Sequence, residues 1–170
     1  LIAEDKVSGN CVGTLRIASN LHGPLDLDSI ETMPEELKGR RIARAERLGV
    51  VKGRVGSLAK IALFKALHRY CLALQIEWIV VQVTPPRDRD YRLLGFKEIL
   101  DDQVFESFIS PGMRQVCLAL NTHSAERMFF KSGHRLYTFM IRTWHPDIDI
   151  FSSVQNQWAR PRNQGAAGCE

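Results

Sequence analysis

The chain has 170 residues, of which 45% are hydrophobic and 25% are charged. This length and composition are typical of a single folded domain and exclude a disordered chain. No apolar run reaches the roughly 18 residues that a membrane-spanning helix needs, so we expect no stable membrane insertion. Because the chain starts at Leu1 rather than at Met, we expect that an N-terminal piece is missing.

The cysteines and histidines are too dispersed to predict a disulfide framework or a metal site. No cysteine pair has C-x-x-C spacing, and a zinc site needs about four closely placed ligands. We therefore expect no metal, and a reduced, cytoplasmic protein. The cysteines are Cys11, Cys71, Cys117 and Cys169.

The net charge is +4, and much of the positive charge lies between residues 40 and 60. A basic surface attracts phosphate, an acidic protein or nucleic acid, although a solvated surface is the alternative interpretation. Nucleic acid is disfavoured because the run has no interleaved aromatic residues or recognition motif. The basic residues are Arg40, Arg41, Arg44, Arg47, Lys52, Arg54 and Lys60.

The N-terminal part of the chain predicts strands at 2–4, 11–18 and 41–51, with a short helix within 29–37. Strict alternation divides residues 41–51 between two faces. One face carries Ile42, Arg44, Glu46, Leu48 and Val50, and the other carries Ala43, Ala45, Arg47, Gly49 and Val51. The small residues of the second face would let a helix pack closely.

Residues 58–75 form the strongest predicted helix, with Ser57 as its N-cap. Its apolar stripe is Leu63, Phe64, Leu67, Cys71 and Leu74, while Lys60, Lys65 and Arg69 lie largely off that stripe. A continuous apolar strand follows at 77–83. Strand, helix and strand together predict a βαβ unit with parallel strands.

The remaining elements complete one predicted domain at 1–159. The patterns favour a short helix at 88–94 ended by Gly95, strands at 96–100 and 115–120, a helix at 124–131, an element of ambiguous type at 135–142 and a loose tail at 160–170.

The turn between the strand at 41–51 and the long helix is a candidate phosphate site. Free amides and the dipole at a helix N-terminus bind phosphate, and glycines permit close approach. Turns of this kind also occur without a ligand, and neither a Walker nor a dinucleotide-binding motif is present. The candidate residues are Lys52, Gly53, Arg54, Val55, Gly56 and Ser57.

Tyr91 is the candidate general acid. It precedes the Leu94-Gly95-Phe96 segment, where its hydroxyl could protonate a leaving thiolate, because tyrosine and thiols have comparable pKa values. The alternative is a core aromatic with a hydrogen-bonded hydroxyl. Glu46 is the candidate general base, and its alternative role is an ion pair with Arg44 or Arg92.

The order strand, glycine turn, long helix, apolar strand and Tyr-x-x-x-Gly-Phe resembles the acyl-CoA-binding half of the GNAT superfamily. Arg47-Leu48-Gly49-Val50 further resembles a strand of the long-chain N-acyl amino acid synthases, relatives of the acyl-homoserine-lactone synthases. Those relatives usually carry Glu three residues before the Arg, where this chain has Arg44. The resemblance implies an α/β three-layer sandwich with a mixed, partly splayed sheet.

The resemblance also implies an acyltransferase that uses an acyl-phosphopantetheine donor, as acyl carrier protein or acyl-CoA, and an amino acid acceptor. Backbone amides near Leu48 and Val50 would polarise the thioester carbonyl. Arg44 and Arg47 would contact substrate or carrier. Phe105 and Phe108 could shape a long acyl pocket or be ordinary core residues. The alternatives are an acetyl-CoA-dependent GNAT acetyltransferase and a non-catalytic binding module of the same fold.

Overall fold

A computed structural model describes residues 1–25, 34–99, 105–106 and 114–151, with the backbone alone at 105, 106 and 114. The strands within these ranges are β1 (Ile2–Glu4), β2 (Cys11–Ser19), β3 (Ile42–Val50), β4 (Trp78–Val83), β5 (Lys97–Glu98), β6 (Phe105–Glu106) and β7 (Arg114–Asn121). The helices are α1 (Arg54–Ala73), α2 (Asp88–Leu93) and α3 (Ala125–Lys131), with a 3₁₀ turn at Glu35–Leu37 and a π-helical turn at Thr138–Arg142.

The strands form a mixed sheet in the order β1-β2-β3-β4-β7-β5, and β6 pairs with β7 off this path. β3 and β4 run parallel, as the βαβ unit requires, and the other neighbouring strands run antiparallel. Helices flank the sheet. The predicted α/β class with a mixed sheet is therefore confirmed.

Helix α1 supplies much of the core. All five residues of its predicted apolar stripe are buried and pack with Ala43 and Ala45 of β3. The small side chains let the helix approach the sheet, as expected. Gly13 of β2 is one point of close contact, because a Cβ there would lie 3.1 Å from the Leu63 Cδ1 atom.

The start of α1 differs from the prediction. The helix begins at Arg54, its N-cap is Gly53, and Ser57 lies inside its first turn, where its hydroxyl donates to the Gly53 carbonyl at 3.1 Å. Gly53 has a φ of 90°, which brings the chain into the helix without a side-chain cap. The N-cap assignment of Ser57 was wrong because the pattern of apolar residues begins later than the helix.

Lys65 is fully buried, contrary to its predicted place off the apolar stripe. Its ammonium donates to the carbonyls of Phe139 and Thr143, each at 2.5 Å, and lies 4.4 Å from the centre of the Phe139 ring. These carbonyls belong to the π-helical turn and its end, and that turn resolves the ambiguous segment at 135–142. The lysine is buried because of this long-range contact, which the sequence pattern of α1 alone cannot predict.

A β-bulge interrupts β3 and moves the side chains that follow it to the opposite face of the sheet from the one predicted. Thr14 pairs with Gly49 and Arg16 pairs with Glu46, so β3 has an extra residue between these pairs. Arg47 lies in the bulge with a φ of 53°. Because an extra residue reverses the alternation, Leu48 packs into the core that contains Ala43 and Ala45. The prediction that Leu48 shares the face of Glu46 was therefore wrong.

Several predicted elements lie partly or wholly outside the described residues. This applies to 29–33 of the predicted short helix, to residue 100 of the predicted strand at 96–100, and to the predicted tail at 160–170. Phe108 also lies outside them, and only the backbone of Phe105 is described, in β6. Gly95 follows α2 with a φ of 84°, which confirms its predicted role at the end of that helix.

Candidate active site

An opening between two adjacent strands defines the candidate site. The parallel register of β3 and β4 runs from Ile42 paired with Trp78 to Arg44 paired with Val80 and ends there. Beyond this point β3 continues along β2, whereas β4 continues along β7. The sheet therefore splays on the C-terminal side of Arg44 and Val80, as the resemblance implied.

The backbone of Val50 faces the splay. The amide of Val51 donates to the Val12 carbonyl at 3.0 Å, which makes these two residues a hydrogen-bonded pair of β2 and β3. Because hydrogen-bonded and non-hydrogen-bonded pairs alternate in an antiparallel ladder, the neighbouring Val50 turns its amide away from β2. This amide points to the side from which β4 has departed, where it can donate to a carbonyl.

The first turn of α1 presents unpaired amides beside this opening. Within the described ranges, the amides of Arg54, Val55 and Gly56 have no hydrogen-bond acceptor. Gly56 is tightly fixed, since a Cβ there would lie 1.7 Å from the Val51 carbonyl oxygen. A Cβ on Gly53, by contrast, would meet nothing within 4 Å. The turn is thus exposed at Gly53 and Arg54, whereas Gly56 is buried.

The structure divides the predicted basic run between the two ends of β3, which are roughly 30 Å apart at about 3.3 Å per residue. At the start of the strand, Arg40 pairs with Glu77 at 3.1 Å. At the other end, three exposed cations have no carboxylate partner within the described ranges: Arg47, Lys52 and Arg54. The basic residues therefore do not form one patch. These three cations lie at the end of β3 where α1 begins.

Glu46 forms the ion pair that was its alternative role, with a second and unpredicted partner. Its Oε2 atom accepts a hydrogen bond from Arg44 Nη2 at 3.3 Å, and its Oε1 atom lies 3.5 Å from Arg16 Nε. Oε1 is buried and accepts no hydrogen bond from the described residues. The other proposed partner, Arg92, pairs instead with Asp88 at 2.9 Å. Glu46 therefore has one carboxylate oxygen that is buried and without a hydrogen bond in the described part of the chain.

Tyr91 is a core aromatic whose hydroxyl has no hydrogen-bond partner in the described part of the chain. The residue is 8% exposed, and its ring makes edge contacts with Phe64 and Phe96, with centroids 5.3 and 5.5 Å apart. Burial raises the pKa of the hydroxyl, the charge of Asp90 raises it further, and Arg87 opposes the rise. The group therefore stays protonated at neutral pH, as a general acid must.

The buried thiols offer no alternative nucleophile. Cys71 lies in the core on α1, and burial raises the pKa of its thiol far above the ordinary value of 9.0. Burial likewise raises the pKa of the Cys117 thiol to about 12. A thiol in this state is a poor nucleophile. The described residues contain no group of three or more potential metal ligands and no helix with the length and apolarity of a membrane span.

Solved structures share this architecture. FeeM, an N-acyl amino acid synthase from uncultured soil microbes, superposes with a TM-score of 0.55 at 20% identity over 69% of this chain and 70% of its own. A spermidine N-acetyltransferase chimera from Vibrio cholerae and hSSAT superposes with a TM-score of 0.50 at 16% identity over 73% and 66%. This chain has the GNAT fold.

The aligned part covers about two thirds of each of these two solved structures. No protein-family model matches the chain. No curated protein matches it either. The similarity to the solved structures is therefore one of fold.

The GNAT fold brings together some of the predicted site residues. Val50 and Glu46 lie on β3 beside the splay, and the turn from Lys52 to Ser57 follows directly. Tyr91 lies on α2, which follows β4, and no hydrogen bond or ion pair joins it to Glu46 within the described ranges. Whether these residues act in catalysis or binding stays a prediction.

Arg16 is the candidate residue that sequence reasoning missed. It is directly opposite Glu46 in the register of β2 and β3, and both side chains therefore lie on the same face of the sheet. The alternation of β2 places Arg16 on the face opposite Leu15. This pattern predicts that Arg16 is exposed but does not predict its partner. Its pairing with Glu46 depends on the bulge, which the sequence pattern did not predict.

Proposed function

We propose that the protein is an N-acyltransferase that transfers a long-chain acyl group from an acyl carrier protein to the amine of an amino acid. The observation that carries the proposal is the splay between β3 and β4 beside the unpaired amides of α1. Within the GNAT fold, this combination provides an anion site next to a gap in the sheet. A phosphopantetheine thioester has a phosphate and a narrow arm that match these two features.

The donor would bind with its phosphate at the first turn of α1. The amides of Arg54, Val55 and Gly56 and the dipole of a helix of 20 residues all favour an anion there. Lys52 adds a cationic side chain, and Ser57 completes the turn. The pantetheine arm would then enter the splay, where the amides of Val50 and Leu48 could polarise the thioester carbonyl.

Transfer would proceed by direct aminolysis. Glu46, or a water molecule that it binds, takes a proton from the acceptor ammonium, and the free amine attacks the thioester carbon. A C–N bond forms and the C–S bond breaks. Tyr91 donates its proton to the departing sulfur and regains one from solvent, while the attacking nitrogen releases its second proton to solvent as the amide forms. The Tyr91 hydroxyl is suited to this role because it stays protonated at neutral pH.

The choice of a carrier protein rests on the charges beside the turn. Arg47, Lys52 and Arg54 are exposed and lack a carboxylate partner in the described ranges. Such charges attract the acidic surface of a carrier protein as well as the donor phosphate. FeeM, whose fold is similar, is an N-acyl amino acid synthase, which supports the amino acid as acceptor. Arg44, Phe105 and Phe108 remain predicted substrate contacts.

The test is a transfer assay with three donors. The purified chain is incubated with the pool of protein amino acids and, separately, with long-chain acyl carrier protein, long-chain acyl-CoA or acetyl-CoA. Mass spectrometry then detects N-acyl amino acids. We expect product from the long-chain carrier protein, with a rate that falls steeply as the ionic strength rises because surface charges are screened.

Other outcomes would favour the alternatives. Product from acetyl-CoA alone, including acetylation of simple amines, would indicate a GNAT acetyltransferase. Rates that do not change with salt would contradict docking of an acidic carrier protein. A protein that binds a donor but gives no product with any acceptor would be a binding module of the GNAT fold.

A further inference from the structure

We infer that Arg16 binds the carboxylate of the acceptor, so that the enzyme selects amines that carry a carboxylate next to the amino group. This inference rests on the proposed N-acyltransferase function and adds a residue that determines the specificity for the acceptor. It concerns the cluster of Arg16, Glu46 and Arg44 beside the splay.

The three side chains lie on one face of the sheet. Arg16 and Glu46 are directly opposed on β2 and β3, and Arg44 is two residues before Glu46 on the same strand. Their common face is the one opposite α1, because the intervening Ala45 packs into the core beneath that helix. Helix α1 therefore does not cover the cluster, and Arg16 is the member of the cluster that is exposed to solvent.

The cluster also lies at the point where the proposed reaction takes place. Arg44 is the last β3 residue paired with β4, so Glu46 already lies beside the open part of β3. The donor phosphate site is at the other end of this opening, at the start of α1. Donor and acceptor would therefore meet at the splay from different sides.

The contacts within the cluster assign different roles to the two arginines. Arg44 donates a hydrogen bond to Oε2 of Glu46 and so fixes the carboxylate. Arg16 makes only an ion contact with Oε1, without a hydrogen bond, and its side chain is 56% exposed. A guanidinium has five N–H donors in a planar fork that suits a carboxylate. Arg16 can thus bind a second carboxylate, that of a ligand, on its solvent-exposed side.

An α-amino acid matches this arrangement in charge. Its ammonium would approach the Glu46 carboxylate, whose Oε1 atom lacks a hydrogen bond but is shielded from solvent in the free protein. Its carboxylate would approach the exposed Arg16 beside it. An amine without the carboxylate leaves Arg16 with its Glu46 contact alone, and a carboxamide offers it only a neutral oxygen. Charge-assisted hydrogen bonds are stronger than neutral ones, so the acceptor class follows from the cluster.

The test compares three matched acceptor pools with wild-type protein: the protein amino acids, their carboxamides and the corresponding decarboxylated amines. We expect the amino acids at limiting concentration to react at least about ten-fold faster than the other two pools. Arg16→Gln should remove this preference by slowing the amino acid reaction alone, while Arg16→Lys should retain part of it. Arg40→Gln is the matched control, since Arg40 has a similarly exposed side chain paired with one carboxylate, Glu77.

Two results would overturn the inference while leaving the proposed function intact. One is equal wild-type rates for the amino acid pool and the amine pool. The other is an equal loss for all pools in the folded Arg16→Gln protein, which would indicate a structural role. Failure to acylate any pool would overturn the proposed function and this inference together.

Discussion

Arg44 and Val80 form the last pair that joins β3 to β4, and the two strands part beyond it. The bulge at Arg47 lies just after this point, where β3 bonds only to β2. A parallel strand that loses its neighbour exposes backbone amides and carbonyls, which a ligand can use. In the proposed mechanism, the splay would admit the thioester arm and these backbone groups would bind it.

Replacing Tyr91 by Phe should lower kcat for acyl transfer between about a hundred-fold and ten-thousand-fold, the range for loss of a general acid. The stability should change little, because the hydroxyl has no hydrogen-bond partner among the described residues. The measurement is steady-state transfer together with urea unfolding. Tyr137→Phe is the control, and full activity of Tyr91→Phe would remove this residue from the mechanism.

Glu46→Gln should lower kcat by a similar factor, because the amide cannot take a proton from the acceptor ammonium. Glu77→Gln is the matched control, since Glu77 is likewise a partly buried carboxylate ion-paired to an arginine, at 3.1 Å, and lies away from the splay. Rates of both variants are compared at saturating donor and acceptor. Equal, small losses in the two variants would show that Glu46 acts only as an ion-pair partner.

Gly56→Ala should weaken donor binding and lower the free energy of unfolding. The new Cβ would lie 1.7 Å from the Val51 carbonyl oxygen, so the turn must move. Strain of this size typically costs about 1 to 3 kcal/mol. Gly23→Ala is the control, since a Cβ there meets nothing within 4 Å. Calorimetric titration with CoA and urea unfolding report the two effects, and unchanged binding would contradict the proposed phosphate site.

Lys65→Met should destabilise the fold by about 2 kcal/mol, because the carbonyls of Phe139 and Thr143 lose their charged donor. The comparison is Lys60→Met, which breaks a partly exposed ion pair with Asp90 and should cost less than about 1 kcal/mol. Urea unfolding measures both changes. Equal stability of the two variants would show that the contacts with Phe139 and Thr143 contribute nothing.

The same lysine predicts a pH dependence. Burial lowers the pKa of the Lys65 amine below its ordinary value of 10.5, and the charge of Arg69 lowers it further. The unfolded chain therefore binds this proton up to a higher pH than the folded chain does. By linkage, the pH-dependent contribution of Lys65 to the free energy of unfolding is complete above pH 10.5. This contribution is lost as the pH falls through the lowered pKa. The advantage of wild type over Lys65→Met should grow as the pH rises, and a difference independent of pH would contradict it.

The sequence predicted the parts of the fold that rest on local patterns. The apolar stripe around Leu63 and Leu67, the buried strand at 78–83 and the glycine after α2 all follow from periodicity or backbone conformation. The parallel βαβ unit then follows from the order of these elements. The open turn after β3 could also be predicted, because its glycines and the helix behind it are adjacent in the chain.

The parts that sequence reasoning missed depend on long-range register. The bulge at Arg47 adds one residue against β2, and no property of the β3 sequence alone shows which residue of β2 it opposes. The position of Arg16 beside Glu46 follows from that register. Lys65 was misplaced for a related reason, since its acceptors are carbonyls more than 70 residues away in the chain.

The most direct test of the central claim is an NMR titration that follows the amides of Arg54, Val55 and Gly56 as donor is added. The donors are CoA and acyl-loaded carrier protein, and the amides of Ala125 and Glu126 at the start of α3 serve as an internal reference. The account predicts saturable shifts at the first turn of α1 and at Val50, with little change at α3. If neither donor moves the α1 amides, or if both helices respond equally, the proposed donor site is wrong.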